Sequence, residues 1–150
     1  MSKLSDLPSK VLEDAAQVGI GPSEKERSGS FFQIDHNIIC SQSSQEGIEV
    51  LETAKALVQY PWFKDYCWKA VDPNKDEFTK AVRDAPPRGY FLRALPGAET
   101  IFPLQACLFI GKEGLSQKVH NVIIAEEGAH LHIITGCAGL LSITTFVCSR

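Results

Sequence analysis

Apolar and polar positions follow two different periods along this chain, and the change falls near residue 89. In "SDLPSKVLEDAAQVG" the apolar residues Leu7, Val11, Leu12, Ala15 and Val18 fall at helical spacing, with Gly19 as a stop. The stretch "GIGPSEKERSGS" (19–30) mixes Gly, Pro, Ser and charge, the composition of a loop. "FFQIDHNIIC" (31–40) is aromatic and β-branched, so it reads as a small strand or as an extended lid over the core. In "EGIEVLETAKALVQY" the spacing of Ile48, Leu51, Ala54, Lys55 and Val58 predicts an amphipathic helix. Pro61 suits the first turn of a second helix in "PWFKDYCWKAV". A third is predicted in "DPNKDEFTKAVRDA", with Asp72 as N-cap, Pro73 at the first helical position and acids in the first turn.

From Gly89 onward the pattern is that of strands. "YFLRAL", "PGAET", "IFPLQACLFIG", "KEGLSQ" and "KVHNVIIAEEGAHLHIITGCA" are β-rich runs broken by glycine-containing turns, with no helical segment between them. An up-and-down sheet would produce this order, and so would the opening coils of a β-solenoid. Periodicity leaves both open.

Composition narrows the class. In 150 residues, 44% are hydrophobic and 22% charged, the balance of a soluble globular domain with a core of its own. A net charge of −3 argues against a nucleic-acid partner, whose binders present a basic face. The longest uncharged run, "LHIITGCAGLLSITTFVC", is interrupted by Gly, Ser, Thr and His and fits strands better than a membrane span. The polar N-terminus lacks the apolar centre of a signal peptide, so no membrane association and a cytoplasmic location are expected. Cys40, Cys67, Cys107, Cys137 and Cys148 are scattered, odd in number and form no CxxC pair. They suggest neither a disulfide framework nor a zinc site, but free thiols, mostly buried, in a reducing compartment.

Candidate chemistry is sparse. Trp62, Phe63, Tyr66 and Trp68 form the most aromatic stretch, which is read as core, with ligand stacking as the alternative. His130 and His132 share one strand face, opposite Leu131 and Ile133, and could grip a metal. With no third ligand nearby, a solvated polar face is the better reading, and no metal site is assigned. Glu126, Glu127 and Gly128 read as a polar corner, Asp35 and His36 as exposed neighbours, and Cys107 as core. Cys137 lies an odd number of residues from either histidine, which puts it on the other face of a continuous strand. No Ser–His–Asp order, phosphate loop or paired-carboxylate motif is present, so the chain is not expected to be an enzyme.

Four stretches carry a resemblance. "RSGSFFQIDHNIIC", "YPWFKDYCWKAVDPNKDEFTKAV", "RGYFLRALPGAETIFPLQACLFI" and "NVIIAEEGAHLHIITGCA" resemble successive blocks of the SufB/SufD family. Members of that family are scaffold components of the SUF iron–sulfur cluster assembly machinery and sit with an ABC-type ATPase subunit. The resemblance implies an α+β fold, with a helical N-terminal region followed by the first coils of a right-handed β-helix (a β-solenoid), truncated. The matching division is 1–88 helical, 89–138 start of the β-helix and 139–150 a divergent tail, "GLLSITTFVCSR". It also implies that Cys137 is a candidate sulfur acceptor or cluster ligand, since a thiolate both takes up sulfane sulfur and ligates iron.

The family's C-terminal helical region, which docks the ATPase, is expected to be missing from this chain. The isolated chain is therefore expected to hold no cofactor, with an iron–sulfur cluster possible only in the full-length assembly. Its partners there would be the SUF ATPase and the other scaffold subunit. Alone, the chain is expected to form a homo-oligomer through exposed strands around 119–147. Two other readings stay open: a shortened binding or regulatory module outside cluster assembly, and a thiol-dependent enzyme using Cys137.

Overall fold

The structure is a computed structural model and describes residues 8–17 and 26–139. Strands Gly29–Ile34 (β1), Asn37–Ser43 (β2), Ile48–Glu52 (β3), Tyr90–Ala94 (β4), Leu104–Ile110 (β5), Val122–Ala125 (β6) and Ile133–Gly139 (β7) form two mixed sheets. Their orders are β2-β1-β5-β7 and β3-β4-β6. β1 and β2 pair antiparallel, as do β3 and β4, whereas β1, β5 and β7 run parallel, as do β4 and β6. The helices are Ser9–Gln17 (α1), Thr53–Gln59 (α2) and Glu77–Arg83 (α3), with a 3-10 turn over Pro61–Asp65.

The central core lies between the sheets. Phe31, Leu104, Ala106 and Leu108 from one meet Ile48, Val50, Tyr90, Leu92 and Ala94 from the other. Each sheet also buries its outer face. Phe32, Cys40, Cys107 and Phe109 form a second cluster that Val11 of α1 packs against. Phe91 on the far side of β4 joins Ala56 of α2 and Phe63 of the 3-10 turn. This double burial explains why β4 and β5 are continuous apolar runs without alternation. Each fully buried Phe or Leu contributes about 1.5–3 kcal/mol of transfer free energy.

The expected architecture is corrected in two respects. No β-helix or other solenoid is found among the described residues; the strands form two mixed sheets. In addition, the region expected to be helical through residue 88 contains β1, β2 and β3. The antiparallel pairs that make the sheets mixed come from these strands. The stretch "EGIEVLETAKALVQY" shows the cause. Ile48 and Val50 face the central core while Leu51 packs on the outer cluster, so burial on both faces imitates a helical stripe. Register with β4 over Ile48–Glu52 decides for strand, and the helix begins only at Thr53. Val58, the last member of the predicted stripe, is 85% exposed.

Smaller shifts have local causes. The N-cap of α3 is Asp76, not Asp72: its carboxylate accepts from Thr79 N at 2.8 Å, and Thr79 Oγ1 accepts from Asp76 N at 3.0 Å. This reciprocal capping box holds the Asp76 carboxyl below the usual range, chiefly through the bond from the Thr79 backbone. Asp72 instead closes a turn by accepting from Asn74 N at 2.8 Å. Of the expected first helical stripe, Leu7 and Val18 lie outside the described residues, as does the tail beyond Gly139.

Two corners fix the end of the sheets where β4 and β6 finish. Gly97 N donates to Glu127 O at 2.9 Å, and His130 N donates to Ala98 O at 2.8 Å, so one corner is stacked on the other. Gly97 and Gly128 take φ of +71° and +70°, a left-handed conformation that a side chain would strain. The stacked corners carry Glu126 and Glu127 to the surface beside β4.

Candidate functional site

Cys137 is exposed and lies on β7, which pairs only with β5 among the described strands. Its Cα partner is Leu108, so it shares the face of Leu108 and Ile133. Cys107 pairs with Gly136, one position back, and turns to the opposite face, where it is fully buried. Burial, with a smaller contribution from the neighbouring Cys137, pushes the Cys107 thiol up to about 12. Cys107 is thus an unionised core group at neutral pH, while Cys137 is open to solvent. Cys40 is buried, and Cys67 is half-buried with its thiol pushed up by burial.

His130 and His132 are exposed just before β7, while Leu131 and Ile133 pack against the central core. Among the described residues no group of three or more His, Cys, Asp or Glu side chains could hold a metal ion. Asp35 is buried rather than exposed, and its carboxylate accepts from Gly111 N at 2.7 Å and Lys112 N at 3.3 Å. It ties the β1–β2 turn, where its φ is +54°, to the end of β5. His36 beside it is exposed.

A second cluster escaped the reading of the sequence. Arg93, next to the last residue of β4, lies between Glu49 of β3 and Glu126 of the corner after β6. It donates from Nη1 to Glu49 at 3.1 Å and from Nε to Glu126 at 2.5 Å, with a second contact from Nη2 to Glu126. Its guanidinium carbon lies 4.9 Å from the Trp62 ring centroid and 5.5 Å from that of Tyr60. Burial, which alone would discourage the charge, is outweighed by the two carboxylates, and the Arg93 pKa rises. Tyr60 donates to Glu49, and that bond, with burial and the carboxylate charge, raises the phenol. The available signal was a lone arginine inside the apolar run "YFLRAL", which must find counter-charges once the strand is buried.

A cavity of about 400 Å³ opens beside this network, lined by Trp62, Tyr66, Arg93, Ile124, Glu126 and Glu127 among others. Of the aromatic stretch, Phe63 is core, Trp62 is half-buried and Tyr66 is exposed. Trp68 packs instead on His120, with ring centroids 4.2 Å apart.

No family profile matches the chain. Individual proteins do. An iron–sulfur cluster assembly SufBD family protein of Methanothermobacter thermautotrophicus (strain Winter) is 49% identical over 137 residues, covering 89% of this chain and 33% of the relative. One from Archaeoglobus fulgidus is 42% identical over 125 residues, covering 83% of this chain and 34% of the relative. The chain is a homologue of SufBD-family proteins over most of its length. The iron–sulfur cluster assembly protein SufB of Bacillus subtilis is a more distant relative, 24% identical over 138 residues that cover 88% of this chain and 30% of SufB. The chain spans about a third of the length of the curated relatives it matches. Among its described residues no helix is long and apolar enough to cross a membrane.

Proposed function

We propose that the chain serves iron–sulfur cluster assembly as a scaffold segment, working through protein–protein contacts and sulfur handling rather than through catalysis of its own. The observation that carries the reading is similarity to SufBD proteins across nearly the whole chain, including the strand that bears Cys137. The exposure of Cys137 supports its assignment as the sulfur-accepting thiol, because Cys40 and Cys107 are closed off in the core. A cluster is cargo here. One thiolate cannot hold it, so further ligands would come from the remainder of a longer protein or from a second subunit. The partners would be an ABC-type ATPase and another scaffold subunit, the site a reducing, cytoplasmic one, and the isolated chain a homo-oligomer.

The test is persulfide transfer. The purified chain is incubated with a cysteine desulfurase and its sulfur donor, and persulfide is mapped by mass spectrometry. Sulfane sulfur is expected on Cys137 and is expected to disappear in Cys137→Ser. Equal persulfidation of the Cys137→Ser chain would overturn the assignment. Light scattering of the same sample checks self-association, and a strict monomer at high concentration would remove that part of the reading.

A further inference from the structure

We propose that the cavity beside Arg93 binds a guanidinium group, such as the side chain of an arginine on a partner polypeptide. The inference is independent of Cys137 and of iron–sulfur chemistry. Its basis is that this surface already gathers cations from its own chain. The Trp62 and Tyr66 rings stand edge to face, with centroids 5.5 Å apart at 83°. Arg93 stacks against Trp62, and Lys69 Nζ lies 4.8 Å from the Tyr66 centroid. The electron-rich ring faces attract positive charge, and each has found an internal cation.

One set of contacts is left over. Arg93 is neutralised by Glu49 and Glu126, but Glu127 is exposed on the cavity wall and its carboxylate makes no ion pair or hydrogen bond among the described residues. Tyr66 is 44% exposed. Glu49, Glu126 and Glu127 outnumber Arg93 and Lys69, so the local field favours a cation over an anion. A guanidinium suits the site better than an ammonium. It is planar and weakly hydrated, it stacks on a ring, and it presents a two-pronged donor edge to a carboxylate. The cavity of about 400 Å³ is large enough for the group and its aliphatic stem, with Ile124 supplying an apolar wall for the latter.

The experiment is an NMR titration of the isotope-labelled full chain with three probes: acetyl-arginine methylamide, its uncharged citrulline counterpart, and methylguanidinium. Saturable shifts are expected at the Trp62 indole and the amides of Ala125 to Glu127 with the arginine probe, and none with citrulline. The Trp68 indole, packed on His120, should not move. Glu127→Gln should weaken binding about two- to fivefold, the range of an exposed ion pair. Tyr66→Leu should weaken it by a similar factor through the lost ring face, about two- to fivefold. Lys69→Gln should tighten it by removing a competing charge. Tighter binding of the arginine probe than of methylguanidinium assigns the group to a polypeptide, and equal binding assigns it to a free small cation. Absence of saturable shifts, equal shifts with citrulline, or native affinity in both weakened variants would overturn the site.

Discussion

Replacing Arg93 with methionine removes a charge that the fold has surrounded with partners while keeping most of the apolar stem. The native side chain is 18% exposed, and the carboxylates of Glu49 and Glu126 are 25% and 27% exposed, so neither ion pair is fully buried. Breaking a buried pair costs about 3–5 kcal/mol, and losing an exposed one at most about 1 kcal/mol. With this much solvent access each pair is worth about 1 kcal/mol. Stacking on Trp62 adds about 0.5–1 kcal/mol. Arg93→Met should therefore destabilise by about 2–3 kcal/mol, a large part of the 5–15 kcal/mol typical of a domain. Urea denaturation should show a lower midpoint at unchanged slope. Because the ionic part is screened, the gap between native and variant should narrow in about 1 M salt while the stacking part persists. A variant within about 0.5 kcal/mol of the native chain, the usual range for neutral surface changes, would refute this account of β4. So would a gap indifferent to salt.

Three further outcomes are expected. Gly29→Ala should cost about 1–3 kcal/mol by overpacking, because its Cβ would lie 2.7 Å from both Leu104 Cδ2 and Val50 Cγ2; a native midpoint in urea would contradict the tight approach of the two sheets. Burial holds His120 below the ordinary histidine value. The unfolded chain thus binds the proton more readily, and stability should fall as pH drops through the unfolded value and level off below the depressed folded one; His120→Gln should flatten that dependence, and an unchanged slope would refute it. At about pH 8, alkylation mapped by mass spectrometry should modify Cys137 well before Cys40 or Cys107, since only thiolate reacts, and equal rates at Cys107 and Cys137 would count against its burial.

The legible parts of this fold were those where one force acts alone. β4 and β5 were readable as apolar runs, because burial on both faces of a sheet demands such residues; of the aromatic stretch read as core, Phe63 is fully buried, while Tyr66 is exposed. The strand of Ile48–Glu52 was hidden by the same double burial, which gives period two the look of period three to four. The pairing of strands across the chain was hidden as well: β1 lies beside β5, more than sixty residues later, and no local pattern encodes that choice. At the candidate site, Cys137 could be picked out through the resemblance of its neighbourhood to a family. Arg93 could not, because its meaning depends on Glu49 and Glu126, which only the sheets bring together.

The register of β5 and β7 also limits what an oxidised Cys137 can become. Cys107 is its nearest sulfur along the strands, but the two thiols leave opposite faces of one sheet, and Cys40 lies on the Cys107 side. A disulfide needs Cβ atoms within about 4.5 Å and converging, which the backbone between these faces does not permit. Among the described residues of this sheet, a sulfenic acid or persulfide on Cys137 has no resolving thiol on its own face. Its release must come from a sulfur or reductant that reaches it from outside this sheet, so a sulfur atom loaded there would not be lost by exchange with Cys40 or Cys107.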